Sequence, residues 1–499
     1  MNGIDFNDSL NKQQLTAVNC DEGNKLVLAG AGSGKTRVLT FRVAKLIEHF
    51  NVRPSDILAL TFTNKASREM KERIESLLRI SSQGLWFGTF HGICRRILKI
   101  HWKEAELSER FTILDSQDQL RLVKRIIKTN NLDEKLYDAK SIQSFINRKK
   151  DNGTRSDQTS EKDDEVYILV YKEYESILKQ TFSVDFADLI LKTYELLLKH
   201  ENILSYYVKR FKHIMVDEFQ DTNLLQFKLL KLLNNNTGSM YAVGDDDQSI
   251  YGWRGALSKN IKNFTDQFID VEIFKLEQNY RSTDKILKVA NSLITHNKNR
   301  LGKELWTNTS RGEQVKIFEA YNNDEESSFI VDKIRMLVRD GYKKSEIAIL
   351  YRNNFLSRRL EEELNGRGIP YIIYGGFRFF ERAEIKDMIA YLRIVVNPDD
   401  DAAFERTINN PPRGIGQKTI DIIRSLAKES NLSLWKTIKL FQDKESKDIT
   451  TRVKTSLLNY IGIIEDIASD INDLSLDEIL IRIYKDSKLK TYFSEQKGE

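Results

Sequence analysis

A glycine-rich segment near the start of the chain holds the residue types that bind the phosphates of a nucleotide. It follows the apolar run 26–29 and precedes a segment with helical periodicity. Glycines in such a loop let backbone N–H groups curl around phosphate oxygens, a lysine adds a point charge, and the next hydroxyl ligates Mg²⁺. The segment therefore predicts a phosphate-binding loop, with a plain glycine-rich turn as the alternative. It reads Ala29-Gly30-Ala31-Gly32-Ser33-Gly34-Lys35-Thr36.

Two adjacent acids follow another apolar run and supply the carboxylates that this chemistry requires. Asp217 and Glu218 come directly after residues 214–216. In phosphoryl transfer to water, one carboxylate holds the metal ion and another activates the attacking water. Ligands of open α/β sheets gather at the carboxyl ends of strands, which is where these acids fall. We predict that Asp217 binds magnesium and that Glu218 is the catalytic base; a solvated acidic turn is the alternative.

A third segment, residues 244–255, combines an amide with aromatic and basic side chains. The amide of Gln248 is suited to sensing a γ-phosphate. Tyr251, Trp253 and Arg254 place two aromatic rings and a guanidinium within four residues. Aromatic faces accept bases by stacking without reading sequence, and arginine adds phosphate or cation–π contacts. The pattern predicts contact with a single nucleic-acid strand, and core packing of the tryptophan is the alternative.

Short apolar runs that alternate with helical periods must position these residues. Continuous apolar strands followed by amphipathic helices are typical of a parallel sheet covered on both faces, so the predicted fold class is α/β. Residues 92–197 indicate helices only, with a polar stretch at 148–165 interpreted as a solvated loop, and the chain after Gly375-Gly376 is predicted to be helical to its end. Strands are predicted at 26–29, 57–61, 213–216, 240–243 and 271–274, and in a second series at 315–318, 347–350 and 371–373.

Composition sets the class of protein. A single core stops growing at about 250 to 300 residues, so 499 residues predict several domains. Hydrophobic residues make up 40% of the chain, which excludes disorder as the main state. Two cysteines are too few for a disulfide scaffold, no apolar run could span a membrane, and the first residues do not resemble a signal peptide. We therefore expect a cytoplasmic protein with no membrane partner, and the net charge of +5 permits nucleic acid without arguing for it.

The motifs taken together resemble those of the UvrD/Rep/PcrA group of superfamily 1 DNA helicases. The resemblance continues through the helical C-terminal part of the chain, so it covers essentially all of it. The matching strings are Leu10-Asn11-Lys12-Gln13-Gln14, the phosphate-binding loop, Thr61-Phe62-Thr63-Asn64-Lys65-Ala66, Gly88-Thr89-Phe90-His91, Asp217-Glu218-Phe219-Gln220, residues 244–254, Leu276-Glu277-Gln278-Asn279-Tyr280-Arg281-Ser282, Gly375-Gly376-Phe377-Arg378-Phe379-Phe380 and Arg413-Gly414-Ile415-Gly416.

The resemblance implies RecA-like P-loop motor domains, each carrying an inserted helical subdomain, that use ATP and Mg²⁺. Gln14 and Arg37 would contact the base and sugar of ATP, Tyr280 would stack on adenine, and Arg281 would act as an arginine finger. The implied layout is motor domain 1A at 1–91 and 198–277, helical insertion 1B at 92–197, the first part of motor domain 2A at 278–374, and helical subdomain 2B at 375–499.

The same resemblance implies a channel for single-stranded DNA. Phe62, Asn64, His91, Trp253 and Arg254 would line it. Core packing remains the alternative for Phe62, and a helix-start histidine for His91. Two further glycines, at 414 and 416, look like the hairpin of a helix-hairpin-helix that binds duplex phosphates through backbone N–H groups, with a simple turn as the alternative.

The implied activity is a 3′→5′ DNA helicase and single-strand translocase, monomeric or weakly dimeric, that acts on single strands and single-strand/duplex junctions. Mismatch and nucleotide-excision repair, or replication restart, are the implied settings, with repair proteins as partners. The family's later motifs, of the types LHxxKGLE and RRLxYVxxTRA, do not occur in these 499 residues. We therefore expect ATP analogues to bind and unwinding to fail. The alternatives are an ATP- and DNA-binding protein that does not unwind, or the helicase part of a helicase-nuclease.

Overall fold

A six-stranded parallel sheet organises the first of two structural units, residues 1–314 and 315–499. The computed structural model describes residues 4–79, 84–160, 162–235, 238–250, 252, 260–297, 300–310, 312–374, 382–430, 432–440, 450–471 and 473–495. The strands are β1 Lys25–Ala29, β2 Ile57–Thr61, β3 Trp86–Thr89, β4 Thr112–Ile113, β5 Ser183–Val184, β6 His213–Val216, β7 Ser239–Gly244 and β8 Glu272–Leu276. The order in the large sheet is β3-β2-β6-β7-β1-β8, and β4 and β5 form a separate pair.

Both faces of this sheet are covered by helices, which is why its central strands are apolar throughout. In β1, Val27 packs into one hydrophobic core while Leu26 and Leu28 pack into the other. The five strands predicted in this part of the sequence are confirmed. The helices of the first unit are α1 Phe6–Ser9, α2 Lys12–Asn19, α3 Lys35–Glu48, α4 Asn64–Leu78, α5 Phe90–Ile100, α6 Ser116–Thr129, α7 Ala139–Asp151, α8 Glu165–Gln180, α9 Phe186–Lys199, α10 Glu201–Arg210, α11 Leu224–Asn234, α12 Asn260–Gln267 and α13 Asp284–Ile294.

The chain between β3 and β6 is largely helical, but the prediction of helices only was wrong in one detail. The two-residue strands β4 and β5 form a parallel pair, in which Thr112 lies opposite Ser183. The pair is too short to show period-2 alternation, so no sequence pattern could reveal it.

The polar stretch 148–165 is not simply a solvated loop, and this expectation was also wrong. The Lys150 side chain is fully buried, with its Nζ 2.7 Å from Asp185 and 2.6 Å from Asp188. Arg155 reaches the same cluster and lies 2.8 Å from Asp188 and 2.7 Å from Glu195. Because buried charges persist only when they are paired and hydrogen-bonded, the acids of α9 hold this segment against the helices.

Asp151 connects this ion cluster to the start of α11. Its carboxylate accepts a hydrogen bond of 2.9 Å from the Asn223 side-chain amide, which caps α11. Burial, together with the charge of Asp185, raises the pKa of Asp151 to about 6. The ionised form is therefore disfavoured in the folded protein. Folding gains stability from the protonated carboxyl below the unfolded pKa, and it loses this stability as the pH rises towards 6.

Replacing Asp151 with asparagine should remove this pH dependence while keeping an oxygen acceptor for Asn223. At pH 7 we expect the free energy of unfolding of Asp151→Asn to exceed that of the parent by about 1 to 3 kcal/mol. The difference should fade by pH 4, and urea unfolding at both pH values measures it. The matched control is Asp157→Asn at an exposed position. An equal difference at both pH values would contradict the assignment.

The second unit is built on a helical core in which Tyr391, Phe404 and Tyr460 are fully buried. The prediction of a helical chain after Gly375-Gly376 is confirmed for the described residues. No described helix of the chain is both long and apolar enough to cross a bilayer. The helices of this unit are α14 Asn323–Arg339, α15 Ser357–Gly366, α16 Ala383–Val396, α17 Asp401–Thr407, α18 Gln417–Ser430, α19 Leu434–Leu440, α20 Thr451–Ser469, α21 Leu476–Asp486 and α22 Leu489–Glu495.

The strands predicted at 315–318, 347–350 and 371–373 do not form in the structure. Their alternation is real, because Ile347 and Ile349 pack against α14 and α15, but the neighbouring Leu350 is 95% exposed. A strand is defined by the hydrogen bonds of its ladder, and no ladder joins these segments within the described residues of the second unit. The alternating pattern therefore predicted which side chains face the helices, but it did not predict whether these segments would pair with one another as strands.

Candidate nucleotide and DNA-binding site

The predicted phosphate-binding loop connects β1 to α3, as its position in the sequence predicts. Gly34 is the N-cap of α3, with φ of +92°, and Gly32 has φ of +68°. These conformations favour glycine, since a Cβ would be strained there. Among the described residues no side chain caps α3, and its first N–H groups and the positive end of its dipole are directed at the loop. The arrangement suits an anion such as a phosphate.

The segment after β8 lies directly against this loop. The Asn279 side chain donates a hydrogen bond of 2.5 Å to the Ala31 carbonyl, and the Tyr280 N–H donates one of 3.0 Å to Gly32. A Cβ added at Gly32 would lie 2.7 Å from the Cβ of Arg281. Tyr280 and Arg281, predicted from the resemblance, are therefore brought to the loop.

Leu305 approaches the same loop from further along the chain. A Cβ at Gly30 would clash with a terminal methyl of Leu305, so a larger residue at this position would require the leucine side chain to move. The side chain of Ser33, which is buried, instead bonds within the loop, donating to the Gly30 carbonyl at 2.8 Å.

Gln14, Arg37 and Tyr280 gather at one end of the loop. Gln14 is buried at the start of α2 and donates a hydrogen bond of 2.8 Å to the Ser33 carbonyl. The Asn11 amide donates to the Tyr280 hydroxyl at 2.6 Å. Arg37 is exposed and donates to the Ser9 carbonyl at 2.6 Å. These contacts leave Tyr280 56% exposed, which suits stacking of its ring on a flat ligand.

The two predicted acids follow β6, and one of them contacts the loop lysine. Lys35 Nζ lies 2.9 Å from Glu218 Oε2. Glu218 has φ of +50°, an uncommon conformation for a residue with a Cβ. Such strained residues cluster at functional sites, because the surrounding structure must hold them in place.

Asp217 and Thr36 provide hard oxygen ligands of the kind that Mg²⁺ prefers. The Asp217 side chain is buried, and its Oδ1 accepts the Glu218 N–H at 3.1 Å. Burial, together with the adjacent charge of Glu218, raises the pKa of Asp217 to about 7. A bound divalent cation would offset both effects, so these residues fit the metal. Thr36 is the second residue of α3, at the loop itself.

Gln220 joins Glu218, the predicted base, to the segment after β7. Its Nε2 donates to Glu218 Oε2 at 2.8 Å, and its Oε1 accepts the Asp245 N–H at 2.9 Å. The Gln248 side-chain amide in turn donates to the Asp245 carboxylate. The predicted base and the predicted phosphate sensor are therefore linked through two intervening residues.

The predicted DNA-binding residues are placed only in part. Phe62 follows β2 and is half-buried, Asn64 is exposed at the start of α4, and His91 follows β3. Because β2 and β3 are adjacent parallel strands, these side chains share one edge of the sheet. The His91 ring lies 6.0 Å from that of Phe186, and burial lowers its pKa, so it is neutral near pH 7. Tyr251, Trp253 and Arg254 lie outside the described residues.

The predicted hairpin lies in the second unit. Gly414 has φ of +73°, and Gly416 directly precedes α18 with open space where a Cβ would be. Arg413 points inward and donates to the Thr407 carbonyl at 2.9 Å and to the Tyr391 hydroxyl at 2.6 Å. The start of α18 thus follows a turn that the partly buried Arg413 side chain supports.

Comparison with known proteins identifies the family. The profile of the UvrD/REP helicase N-terminal domain matches residues 10–269, and that of the UvrD-like helicase C-terminal domain matches residues 274–486. The chain belongs to the UvrD family of DNA helicases. Membership implies the use of a nucleotide, which agrees with the loop geometry.

Individual relatives of this UvrD-type chain carry helicase names. It is 46% identical over 496 residues to DNA helicase II of Escherichia coli K12, covering 99% of this chain and 68% of that protein. It is 39% identical over 483 residues to the ATP-dependent DNA helicase PcrA of Staphylococcus epidermidis RP62A, covering 96% and 66%. A probable DNA helicase II homologue of Rickettsia felis is 45% identical over 447 residues, covering 88% and 68%.

Sequence reasoning missed several residues of the UvrD-type site. Asn279 precedes Tyr280 within a recognised motif, and an amide beside two predicted ligands was a usable signal. Gln220 closes the acidic motif, but its two-sided bonding depends on β6 and β7 being neighbours. Leu305 gave no local signal, because an isolated leucine in a polar stretch carries no chemistry of its own.

Proposed function

We propose that this chain is an ATP-dependent 3′→5′ DNA helicase and single-strand translocase. The observation that carries the proposal is the meeting of two segments at the phosphate-binding loop: Glu218 pairs with Lys35 at 2.9 Å, and Asn279 bonds to Ala31 at 2.5 Å. A lysine, a base and a neighbouring arginine, Arg281, are the groups that phosphoryl transfer to water requires.

The residues divide the work between binding and chemistry. Phosphate oxygens compete with Glu218 for the ammonium of Lys35, so nucleotide binding releases the carboxylate. Glu218 Oε2 then accepts a proton from the attacking water, while Gln220 holds its orientation. Arg281 and Lys35 stabilise the negative charge that develops on the transferred group. Mg²⁺, held by Thr36 and Asp217, would supply charge neutralisation at the phosphates.

Gln14, Arg37 and Tyr280 would hold the nucleoside, with Gln248 sensing the γ-phosphate. Phe62, Asn64 and His91, with Tyr251, Trp253 and Arg254, would bind the single strand, and the hairpin at 414–416 would contact duplex phosphates. We also propose 3′→5′ polarity, a role in mismatch or nucleotide-excision repair or in replication restart, and a cytoplasmic, monomeric or weakly dimeric state. These proposals are supported by the resemblance to the family and not by the contacts described above.

Strand separation tests the proposal. The two absent motifs led to the expectation that unwinding fails, whereas the proposed function requires that a duplex with a 3′ single-stranded tail be separated in the presence of ATP. It also requires that a duplex with a 5′ tail not be separated. The reverse preference would contradict the polarity. Failure on both substrates, with nucleotide and DNA binding retained, would favour the alternative of an ATP- and DNA-binding protein that does not unwind. Failure to bind nucleotide would overturn the proposal itself.

Trp253→Ala should weaken binding of a single-stranded oligonucleotide by about 1 to 3 kcal/mol, the worth of one base–aromatic stack. The loss should be similar for thymine and adenine oligomers, because stacking does not read sequence. Fluorescence anisotropy measures the affinities, and Trp253→Phe, which keeps a ring, should retain most of the binding. Lower thermal stability with unchanged DNA affinity would instead identify a core residue.

A further inference from the structure

Three consecutive aspartates after β7 enclose the ammonium group of one lysine. Lys303 Nζ lies 2.6 Å from Asp245 and 3.0 Å from Asp247, and it also bonds to Asp246. The Lys303 side chain is only 3% exposed. Burial opposes its charge, but the carboxylates outweigh burial and raise the pKa of Lys303, so the ammonium stays charged. Oxygens of the three acids lie within 4.8 Å of one another, and the ammonium takes the place among them that a metal ion would take.

Arg300 completes this arrangement, which we call the acidic clasp (Asp245, Asp246, Asp247, Arg300 and Lys303). Its guanidinium forms a bidentate pair with Asp247, at 2.7 and 2.9 Å. It also donates to the Lys303 carbonyl at 3.0 Å. A planar guanidinium that bonds in this way fixes direction as well as distance.

One side of the clasp leads to the catalytic base. The Asp245 N–H donates to Gln220, which donates to Glu218, and the Gln248 amide donates to the Asp245 carboxylate. Any movement of Asp245 therefore changes the partners of both Glu218 and Gln248.

The other side leads to the segment that carries Arg281. Trp306, three residues after Lys303, accepts the Asn279 N–H at 2.7 Å and donates its own N–H to Glu277 at 3.1 Å. Asn279 Oδ1 accepts the Arg281 N–H at 2.8 Å. The clasp thus joins two groups of residues that face the phosphate-binding loop from different parts of the chain.

We propose that Lys303 is a positioning residue that couples nucleotide binding to DNA binding. It holds the turn at 245–247 in a fixed relation to the segment 277–281, so a change at the nucleotide site alters the turn that carries Gln248 and that precedes the proposed DNA-binding residues in sequence. The inference rests on the proposed function. Coupling between two ligands is reciprocal and changes affinity about 5- to 150-fold in typical proteins.

The test measures the dissociation constant of a fluorescent, non-hydrolysable ATP analogue with and without a saturating thymine oligonucleotide. The parent should show a ratio of about 5-fold or more between the two constants. In Lys303→Gln the ratio should fall to within twofold of one, while the analogue alone still binds. Lys303→Arg, which keeps the charge, should retain the ratio. The matched control is Lys288→Gln. The Lys288 side chain is 74% exposed, and its Nζ lies 3.9 Å from Asp284 in a surface ion pair.

The outcomes separate the two proposals. If the parent binds neither the analogue nor the oligonucleotide, the proposed function fails. If it binds both but Lys303→Gln keeps the parental ratio, or Lys288→Gln loses it too, the coupling role of Lys303 is overturned alone. If the ratio of the two dissociation constants falls to about one in Lys303→Arg, packing and not charge is what matters, and the coupling role of the Lys303 charge is also overturned. Should Lys303→Gln fail to fold, Arg300→Gln should lower the ratio, and an unchanged ratio there would refute the clasp.

Discussion

Glu218→Gln should bind ATP like the parent and hydrolyse it about 10²- to 10⁴-fold more slowly, the usual contribution of a general base. Glutamine keeps an oxygen that can accept the bonds from Lys35 and Gln220, at 2.9 and 2.8 Å in the parent, so the local structure should survive. What it loses is the capacity to take a proton from water. Single-turnover hydrolysis with protein in excess measures the rate, and a fluorescent ATP analogue measures binding.

Two further variants show whether the loss of hydrolysis is specific to the site. Lys35→Ala should abolish hydrolysis as well, since the lysine neutralises charge at the transferred phosphoryl group. Glu22→Gln is the matched control, because that side chain is 64% exposed and lies outside the site. Comparable hydrolysis rates in Glu218→Gln and the parent would refute the assignment of the base.

Lys150→Met should lower the free energy of unfolding by about 3 to 5 kcal/mol, as expected when one partner of a buried ion pair is removed. Asp185 and Asp188 would then lose a buried ammonium that lies 2.7 and 2.6 Å away, and water could not replace it. Urea unfolding measures the loss.

Lys140→Met on the exposed side of the same helix, α7, is the matched control and should change the stability by less than about 0.5 kcal/mol. Adding Asp185→Asn to Lys150→Met should recover part of the loss, because it removes one of the unpaired charges. A loss in Lys150→Met no larger than that in Lys140→Met would show that the cluster does not stabilise the fold.

Much of this site could be predicted from the sequence, because its residues carry local chemical signals. The loop at 29–36 and the acids Asp217 and Glu218 carry their own signals, because each sits where an apolar strand ends and the side-chain types match a phosphate and a metal. In the sheet, β7 lies between β1 and β6. The carboxyl ends of β1 and β6 are therefore close together at the same end of the parallel strands.

Long-range pairing explains what the sequence did not reveal. Lys150 lies in a run of charged and polar residues that resembles a solvated face, and only the distant acids of α9 make it a core residue. Lys303 likewise needs three aspartates more than fifty positions earlier. The strands predicted within 315–373 were wrong for a related reason. An alternating pattern describes the two faces of one strand, but it does not identify the neighbouring strand that would pair with it.

The insertion between β3 and β6 has a consequence for how the sheet assembles. Ile57 of β2 pairs with His213 of β6, so the centre of the sheet closes only after the whole helical insertion has been bridged. Closing so long a loop costs entropy, and contacts between distant residues slow folding. Helices α6 to α9, which rest on contacts nearer in sequence, should form earlier and shorten the effective loop. We therefore expect variants that loosen the insertion to fold more slowly as well as to unfold more readily.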